Sequence, residues 1–152
     1  MAQRAVEIGD KKAIMKGKTI KELKVGDSAS FSKTVTEADV CNFAGVSGDF
    51  NPAHMNEVYA AQTPFKTRIA HGILSAGFIS TVLGTKLPGE GTIYLGQELK
   101  FTKPVFFGDT VTVTCTVTEI IEEKNRVLLE TIATNQNGET VIKGMATVMP
   151  PR

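Results

Sequence analysis

The sequence predicts an α+β fold, in which an antiparallel sheet packs around one long buried helix. Two observations lead to this prediction. The stretch "GILSAGFISTVLG" carries apolar residues around almost the whole circumference of a helix, so other structure must cover it. In residues 111–118, valine or cysteine alternates with threonine, as in a strand with one buried face. A sheet of such strands would supply the cover that the helix needs.

The first half of the chain is predicted to be mainly helical. Residues 28–35, "SASFSKTV", form a first strand, and Thr36 is the N-cap candidate of the helix that follows. A short helix is expected around residues 56–62, and the long apolar helix begins near Gly72. The helices therefore lie between the first strand and the rest of the sheet in the order of the chain.

The second half of the chain carries an almost continuous strand signal. Asn137-Gly138 is a strong signal for a two-residue hairpin turn, and Lys124-Asn125 turns the preceding pair of strands. The predicted strands are residues 92–101, 109–123, 126–136 and 139–149. Together with the first strand they make five antiparallel strands, and five such strands wrapped around one helix form a hotdog fold.

The length and composition of the chain indicate one globular domain. A chain of 152 residues is long enough to bury a core and too short for two ordinary domains. Residues 1–18 are lysine-rich with weak periodicity and are predicted to form an N-terminal arm, which leaves residues 19–152 as the single domain. The chain has 17 Lys and Arg and 16 Asp and Glu, so its net charge is close to zero. No nucleic acid partner is therefore expected.

No segment of the sequence predicts export or membrane insertion. The first 27 residues lack an apolar run of signal-peptide length, and no later stretch is long enough to cross a membrane. A cytoplasmic protein is therefore expected. Cys41 and Cys115 have neither C-x-x-C spacing nor a secretory context, so both are expected to be buried free thiols.

The segment "GDFNPAH" holds an acid and an imidazole in a short loop. Asp49 and His54 flank the rigid Asn51-Pro52 step, because proline fixes its own φ and restricts the residue before it. Two such groups can hold one water and exchange protons with it. The alternative is a structural turn, with an Asx-turn at Asp49 and His54 capping the next helix.

The start of the long helix offers a second kind of chemistry. Gly72 lies where the helix begins, and unpaired backbone N–H groups and the positive end of the helix dipole gather there. Such a donor would stabilise a thioester oxygen that becomes negative in the transition state. Alternatively, Gly72 only permits close packing of helix and sheet. The neighbouring His71 is expected to be a structural hydrogen-bonding residue.

Other common active-site motifs are absent from the sequence. It has no G-x-S-x-G elbow, no P-loop and no G-x-G-x-x-G after a strand. No metal site is expected, because no cluster of further ligands accompanies the two histidines.

The chain resembles the MaoC-like dehydratase family, and within it the (R)-specific enoyl-CoA hydratases. The resemblance rests on "GDFNPAH" at 48–54, "RIAHGILSAGFIS" at 68–80 and "FTKPVFFGDTVTV" at 101–113. It covers roughly residues 25–148 and implies a hotdog fold, a homodimer or higher homo-oligomer, and an active site beside the dimer interface.

The resemblance also implies an activity and a set of site residues. Asp49 and His54 would act on one water, and the backbone amide of Gly72 would donate to the thioester oxygen. Asn51 would orient the loop, and Ser80 would lie near the acyl pocket. The implied reaction is the reversible hydration of a trans-2-enoyl-CoA, short-chain substrates such as crotonyl-CoA being favoured, within fatty acid metabolism.

The expected reaction needs no metal or other cofactor, because coenzyme A is part of the substrate and its thioester is the electron sink. Acyl carrier protein is the alternative carrier. Two other functions stay open: a hotdog thioesterase, which attacks C1 instead of C3, and a non-catalytic acyl-CoA-binding module.

Overall fold

A computed structural model describes residues 16–152. The greater part of the predicted arm, residues 1–15, lies outside the described residues, and the arm boundary at residue 18 stays a prediction. Within the described part, the backbone N–H of Gly17 donates to the carbonyl of Glu90 (2.9 Å) and that of Lys18 to the carbonyl of Pro88 (2.8 Å). Residues 17 and 18 are thus held against the loop that follows the long helix.

Four α-helices separate the first strand from the others. They are α1 (Glu37–Ser47), α2 (Pro52–Met55), α3 (Glu57–Ala60) and α4 (Gly72–Thr85). Thr36 caps α1 as predicted, because its side chain accepts the N–H of Asp39. The helix predicted around residues 56–62 is α3, which Asn56 caps and which ends sooner than expected, at Ala60. Among the described residues, no helix has the length and apolar character needed to cross a membrane.

The five strands form one antiparallel sheet, which confirms the predicted α+β hotdog class. They are β1 (Ser28–Thr34), β2 (Ile93–Phe101), β3 (Thr110–Ile121), β4 (Arg126–Thr134) and β5 (Thr140–Met149), in the spatial order β1-β3-β4-β5-β2. Strand β2 pairs with β5 and not with its sequence neighbour β3, so the chain crosses the sheet after β2. The Lys124-Asn125 turn occurs as predicted, with Asn125 at a positive φ of 50°.

The core lies between α4 and the sheet. Strand β3 alternates as predicted, with Val111, Val113, Cys115 and Val117 buried. On its other face, the hydroxyls of Thr112 and other β3 threonines pair with hydroxyls on β1. Helix α4 packs against β1, β2 and β3 through its buried side chains.

The prediction that α4 is covered on all sides is wrong for a single chain. Gly72, Ile73, Gly77 and Ser80 are exposed along one stripe of the helix, and Ile73 keeps 52% of its surface accessible. The sheet of one chain covers only the opposite side of α4. The exposed stripe lies beside strand β2, which is also exposed along most of its length.

Two smaller predictions also need correction. Cys41 is exposed on α1, and only Cys115 is buried; burial raises the pKa of the Cys115 thiol to about 12. Asn137-Gly138 does not form a two-residue hairpin, because that turn needs positive φ at both positions and only Gly138 has it, at 75°. Residues 135–139 form the loop instead, and the Asn135 side chain accepts the N–H groups of Asn137 and Glu139.

Candidate active site

The loop between α1 and α2 is fixed by short-range hydrogen bonds. Helix α1 ends at Gly48, whose φ of 79° turns the chain into the loop. The Asn51 side chain then accepts the N–H of Ala53 (3.0 Å), and Pro52 occupies the first turn of α2. The N–H of Asn51 donates to Asp49 Oδ1 (3.1 Å). Asn51 thus forms hydrogen bonds on both sides of the loop between Asp49 and His54, and its role in orienting the loop stays a prediction.

His54 is anchored through one ring nitrogen. Its Nδ1 lies 2.7 Å from the carbonyl oxygen of Ile69, in the segment just before α4. Because a carbonyl can only accept a hydrogen bond, Nδ1 must carry the proton. In neutral His54 the lone pair is therefore on Nε2, which is the tautomer that a general base facing a water needs.

His71 is buried behind this loop, with 2% of its surface exposed. Its Nε2–H donates to the backbone carbonyl of Asp49 (2.9 Å), which confirms that it is a hydrogen-bonding residue. Its ring packs against that of His54, with centroids 3.9 Å apart and the planes tilted by 33°, and it also contacts the ring of Phe43 at 4.8 Å. The imidazole of His71 therefore touches both members of the predicted acid/base pair.

These contacts bring three polar side chains together. One carboxylate oxygen of Asp49 and one ring nitrogen each of His54 and His71 lie within 4.8 Å of one another. A water that hydrogen-bonds to two groups can join atoms up to roughly 5.5 Å apart, so the spacing of Asp49 and His54 fits a shared water. The Asp49 side chain is half exposed, at 49%, so water reaches it from outside.

The cluster also corrects the expectation that no ligand group accompanies the histidines, since Asp49 joins them. Its geometry is nevertheless loose for a metal, because ligands about 2.1 Å from a tetrahedral zinc lie roughly 3.4 Å from one another. The cluster as built is therefore spaced for a water between hydrogen-bonding groups.

Gly72 begins α4 next to this cluster. Among the described residues, no acceptor is bonded to its backbone N–H, which is free to donate. A Cβ at this position would lie 2.8 Å from two ring carbons of Phe101. Glycine is thus needed for packing against Phe101, which supports the structural alternative for Gly72, and the same packing leaves its N–H open towards a ligand.

A cavity of about 530 Å³ is lined by two of these groups, His54 and Gly72, whereas Asp49 and His71 do not line it. His54, Gly72 and Ser75 line it together with mainly apolar residues from the segment before α4, from the end of β2 and from β5. The lining is suited to an acyl chain because it is apolar with a few polar groups. Ser80 does not line this cavity; it lies in a neighbouring depression beside Tyr94 and Gln97, which Ile73 separates from the first.

An ion-pair cluster holds the segment that carries the His54 anchor. Arg68 pairs with Glu37 on α1 (2.8 Å) and with Glu57 on α3 (3.2 Å), and its guanidinium lies 4.9 Å from the centre of the Phe107 ring. Hydrogen bonds from the Thr67 side chain and then from Arg68 lower the pKa of Glu57. These contacts tie α1 and α3 to the residue before Ile69.

Several of these features could not be read from the sequence. The Ile69 carbonyl that orients His54 is a backbone group, for which no side-chain signal exists. Ser75 is a second example: its hydroxyl is buried beside the cavity and has no hydrogen-bond partner among the described residues. For the contacts of His71, the sequence offers one signal, which is the position of this residue directly before the first residue of α4.

Known proteins match nearly the whole chain. The family model described as MaoC like domain matches residues 21–146. An (R)-specific enoyl-CoA hydratase from Rhodospirillum rubrum is 59% identical over 130 residues, which cover 86% of this chain and 90% of that protein. A 3-hydroxybutyryl-CoA dehydratase from Methylorubrum extorquens is 45% identical, with coverage of 86% and 83%.

A solved structure shows the same fold. The unliganded R-hydratase from Pseudomonas aeruginosa superimposes with a TM-score of 0.85 at 47% identity, covering 90% of this chain and 88% of that one. The sequence relatives and this structure agree with the family predicted from the three motifs. The chain therefore belongs to the MaoC-like family.

Proposed function

We propose that the protein is an (R)-specific enoyl-CoA hydratase, a hydro-lyase that adds water reversibly to trans-2-enoyl-CoA. The observation that carries this proposal is the convergence of Asp49 and His54 beside the free N–H of Gly72. The identities to an enoyl-CoA hydratase and to a hydroxybutyryl-CoA dehydratase support the same reaction, read in its two directions.

Asp49 and His54 act together on one water. The carboxylate of Asp49 and the unprotonated Nε2 of His54 both accept hydrogen bonds, so a water between them presents its oxygen to C3 of the enoyl group. As the oxygen bonds to C3, the pair takes a proton from the water and a proton is delivered to C2. Dehydration of the (3R)-hydroxyacyl thioester follows the same path in reverse.

The backbone of Gly72 acts on the thioester. When oxygen bonds to C3, electron density moves through C2 to the carbonyl, whose oxygen becomes negative. The N–H of Gly72, at the positive end of α4, donates to this oxygen, an interaction worth roughly 3 kcal/mol per donor in comparable sites. The thioester itself accepts the electrons, so the proposed reaction uses no metal or redox cofactor.

Coenzyme A is the proposed carrier, with acyl carrier protein as the alternative. Ser80, which lies outside the cavity of His54 in one chain, stays a proposed acyl-pocket residue. The proposed setting is cytoplasmic fatty acid metabolism.

A homodimer is part of the proposal. The exposed stripe of α4 lies beside the exposed edge strand β2, where Ile73, Ile93, Tyr94, Leu95 and Phe101 are at least 38% accessible. An apolar edge of this kind is normally covered. Light scattering on the purified protein is expected to give twice the mass of one chain, and a monomer would contradict this part of the proposal.

Crotonyl-CoA provides the test of function. The purified protein is expected to remove the enoyl-thioester absorbance, and chiral analysis is expected to find the (R)-3-hydroxy product. Release of free coenzyme A thiol without hydration would indicate the thioesterase. Saturable binding of crotonyl-CoA without any turnover would indicate the binding module.

A further inference from the structure

His71 contacts both catalytic residues through different kinds of interaction. Its Nε2–H donates to the backbone carbonyl of Asp49 at 2.9 Å, and the centroid of its ring lies 3.9 Å from that of the His54 ring. It does not line the cavity, and its side chain is 1% exposed. Of these three residues only His54 lines the cavity, whereas the Asp49 side chain is half exposed and that of His71 is buried, so His71 is the one that neither a substrate nor solvent reaches.

The ring of His71 has contacts that restrict its orientation. The rings of Phe43 on α1 and of His54 both pack against it, with centroids 4.8 Å and 3.9 Å away, and the backbone of His71 is the N-cap of α4. The hydrogen bond from Nε2 to the Asp49 carbonyl further limits the rotation of the ring. His71 is thus held by α1 and α4, and its hydrogen bond to the Asp49 carbonyl fixes the loop relative to these two helices.

The catalytic groups have few other constraints. Asp49 is half exposed, and its carboxylate accepts a hydrogen bond only from the neighbouring Asn51 N–H among the described residues. The imidazole of His54 makes one hydrogen bond among the described residues, to the Ile69 carbonyl. Asn51 links the two groups along the loop, and His71 links them from behind it.

We propose that His71 is a positioning residue for the Asp49–His54 pair, which it aligns through one hydrogen bond to the Asp49 carbonyl and one ring stack on His54. This inference rests on the proposed hydratase function. Loss of the His71 contacts should lower the rate of hydration, because a displacement of an acid/base pair by about 1 Å can lower a rate about 100-fold.

Two substitutions separate the two contacts. His71→Gln keeps a donor near the position of Nε2 and loses the ring, whereas His71→Phe keeps the ring and loses the donor. With crotonyl-CoA, each variant is expected to lower kcat at least tenfold, to change KM less than threefold and to alter the pH profile of kcat/KM. Val127→Ala is the control, because Val127 is fully buried in β4 and lines none of the cavities described above; it should lower the melting temperature while leaving kcat and the pH profile unchanged.

Three outcomes would overturn the proposal. They are wild-type kcat and pH profile in both variants, a change confined to KM, and a loss of activity that the unfolded fraction fully explains, with wild-type kcat per folded molecule.

Imidazole ¹⁵N NMR tests the hydrogen bond without any substrate. The chain contains two histidines, so the spectrum of the tag-free protein is simple to assign with His71→Phe. Neutral His54 is expected to be protonated at Nδ1 and neutral His71 at Nε2. His71 protonated at Nδ1 instead would overturn the proposal, whereas a wild-type protein inactive on crotonyl-CoA with the expected tautomers would contradict only the hydratase function.

Discussion

The sheet and the segment that carries the candidate site are held together by different forces. In the sheet, buried side chains such as Val113, Cys115 and Leu129 form one core with side chains of α4, and backbone ladders join the five strands. In residues 48–72, the important contacts are single hydrogen bonds from a side chain to a backbone carbonyl. We infer that the sheet determines stability and that the site segment determines geometry.

This contrast has a physical basis. Burial of apolar surface is non-directional and adds over many residues, so it supports a core without fixing any one atom. A hydrogen bond contributes only about 1 kcal/mol net but constrains distance and angle. Substitutions in the two regions should therefore separate stability from activity.

The largest effect is expected at the acid/base pair. Asp49→Asn keeps an acceptor for the Asn51 N–H and loses the charge, while His54→Asn keeps a donor near the Ile69 carbonyl and loses the basic nitrogen. Each should lower kcat about 10³-fold on crotonyl-CoA, because general acid and base groups contribute on this scale. Steady-state kinetics and thermal melts measure both quantities. Near-normal turnover by either variant would refute the mechanism with one shared water.

The second prediction concerns the sheet. Leu129 on β4 is fully buried, so Leu129→Ala should lower the free energy of unfolding by about 3 kcal/mol through lost burial and a residual cavity. Urea unfolding at a fixed protein concentration measures this loss. Turnover per folded molecule should stay at the wild-type value. A variant that lost turnover but kept its stability would contradict the separation of the two regions.

The third prediction tests the place where the two regions meet, at Gly72 on α4 and Phe101 on β2. Gly72→Ala keeps the N–H but brings a methyl group against the Phe101 ring, so kcat should fall about tenfold as the helix start shifts. Phe101→Leu in the same chain removes the clash and should recover most of the loss. Absence of recovery would show that Gly72 is needed for close approach of the ligand and not for packing alone.

The same contrast explains which parts of the structure the sequence predicts. Alternation in β3 and the Thr36 cap are local patterns, and both predictions are confirmed. The pairing of β2 with β5 and the contact of His71 with Asp49 join residues far apart in the chain, so no local pattern encodes them.

The errors have similar causes. Cys41 is expected to be buried because its neighbours are apolar, yet the helix turns it outwards. The open stripe of α4 departs from the expectation because hydrophobicity predicts that a face is covered, whereas the sheet of one chain covers only the opposite side of the helix.

The smallest effect is expected at the charged cap of α1, which joins the sheet to the helices. Asp39 accepts hydrogen bonds from Lys33 Nζ on β1 (2.6 Å) and from the Thr36 N–H (2.9 Å), and these lower its pKa below the usual 3.8. A carboxyl whose pKa is lowered on folding stabilises the fold above its unfolded pKa, and this contribution disappears as the pH falls through the folded value.

Asp39→Asn should therefore cost about 0.5 kcal/mol at pH 7, a value typical of a partly exposed ion pair. The difference from wild type should shrink as the pH falls below about 4, because the carboxyl of the unfolded chain becomes protonated there while the folded carboxyl, with its lowered pKa, is still ionised. Urea unfolding between pH 7 and 3 measures it. Asn56→Ala, which removes the neutral cap of α3, is the matched control, and its cost should not vary with pH. A pH-independent cost for Asp39→Asn would mean that Asp39 acts only as a cap acceptor, so its charge would not contribute to joining β1 and α1.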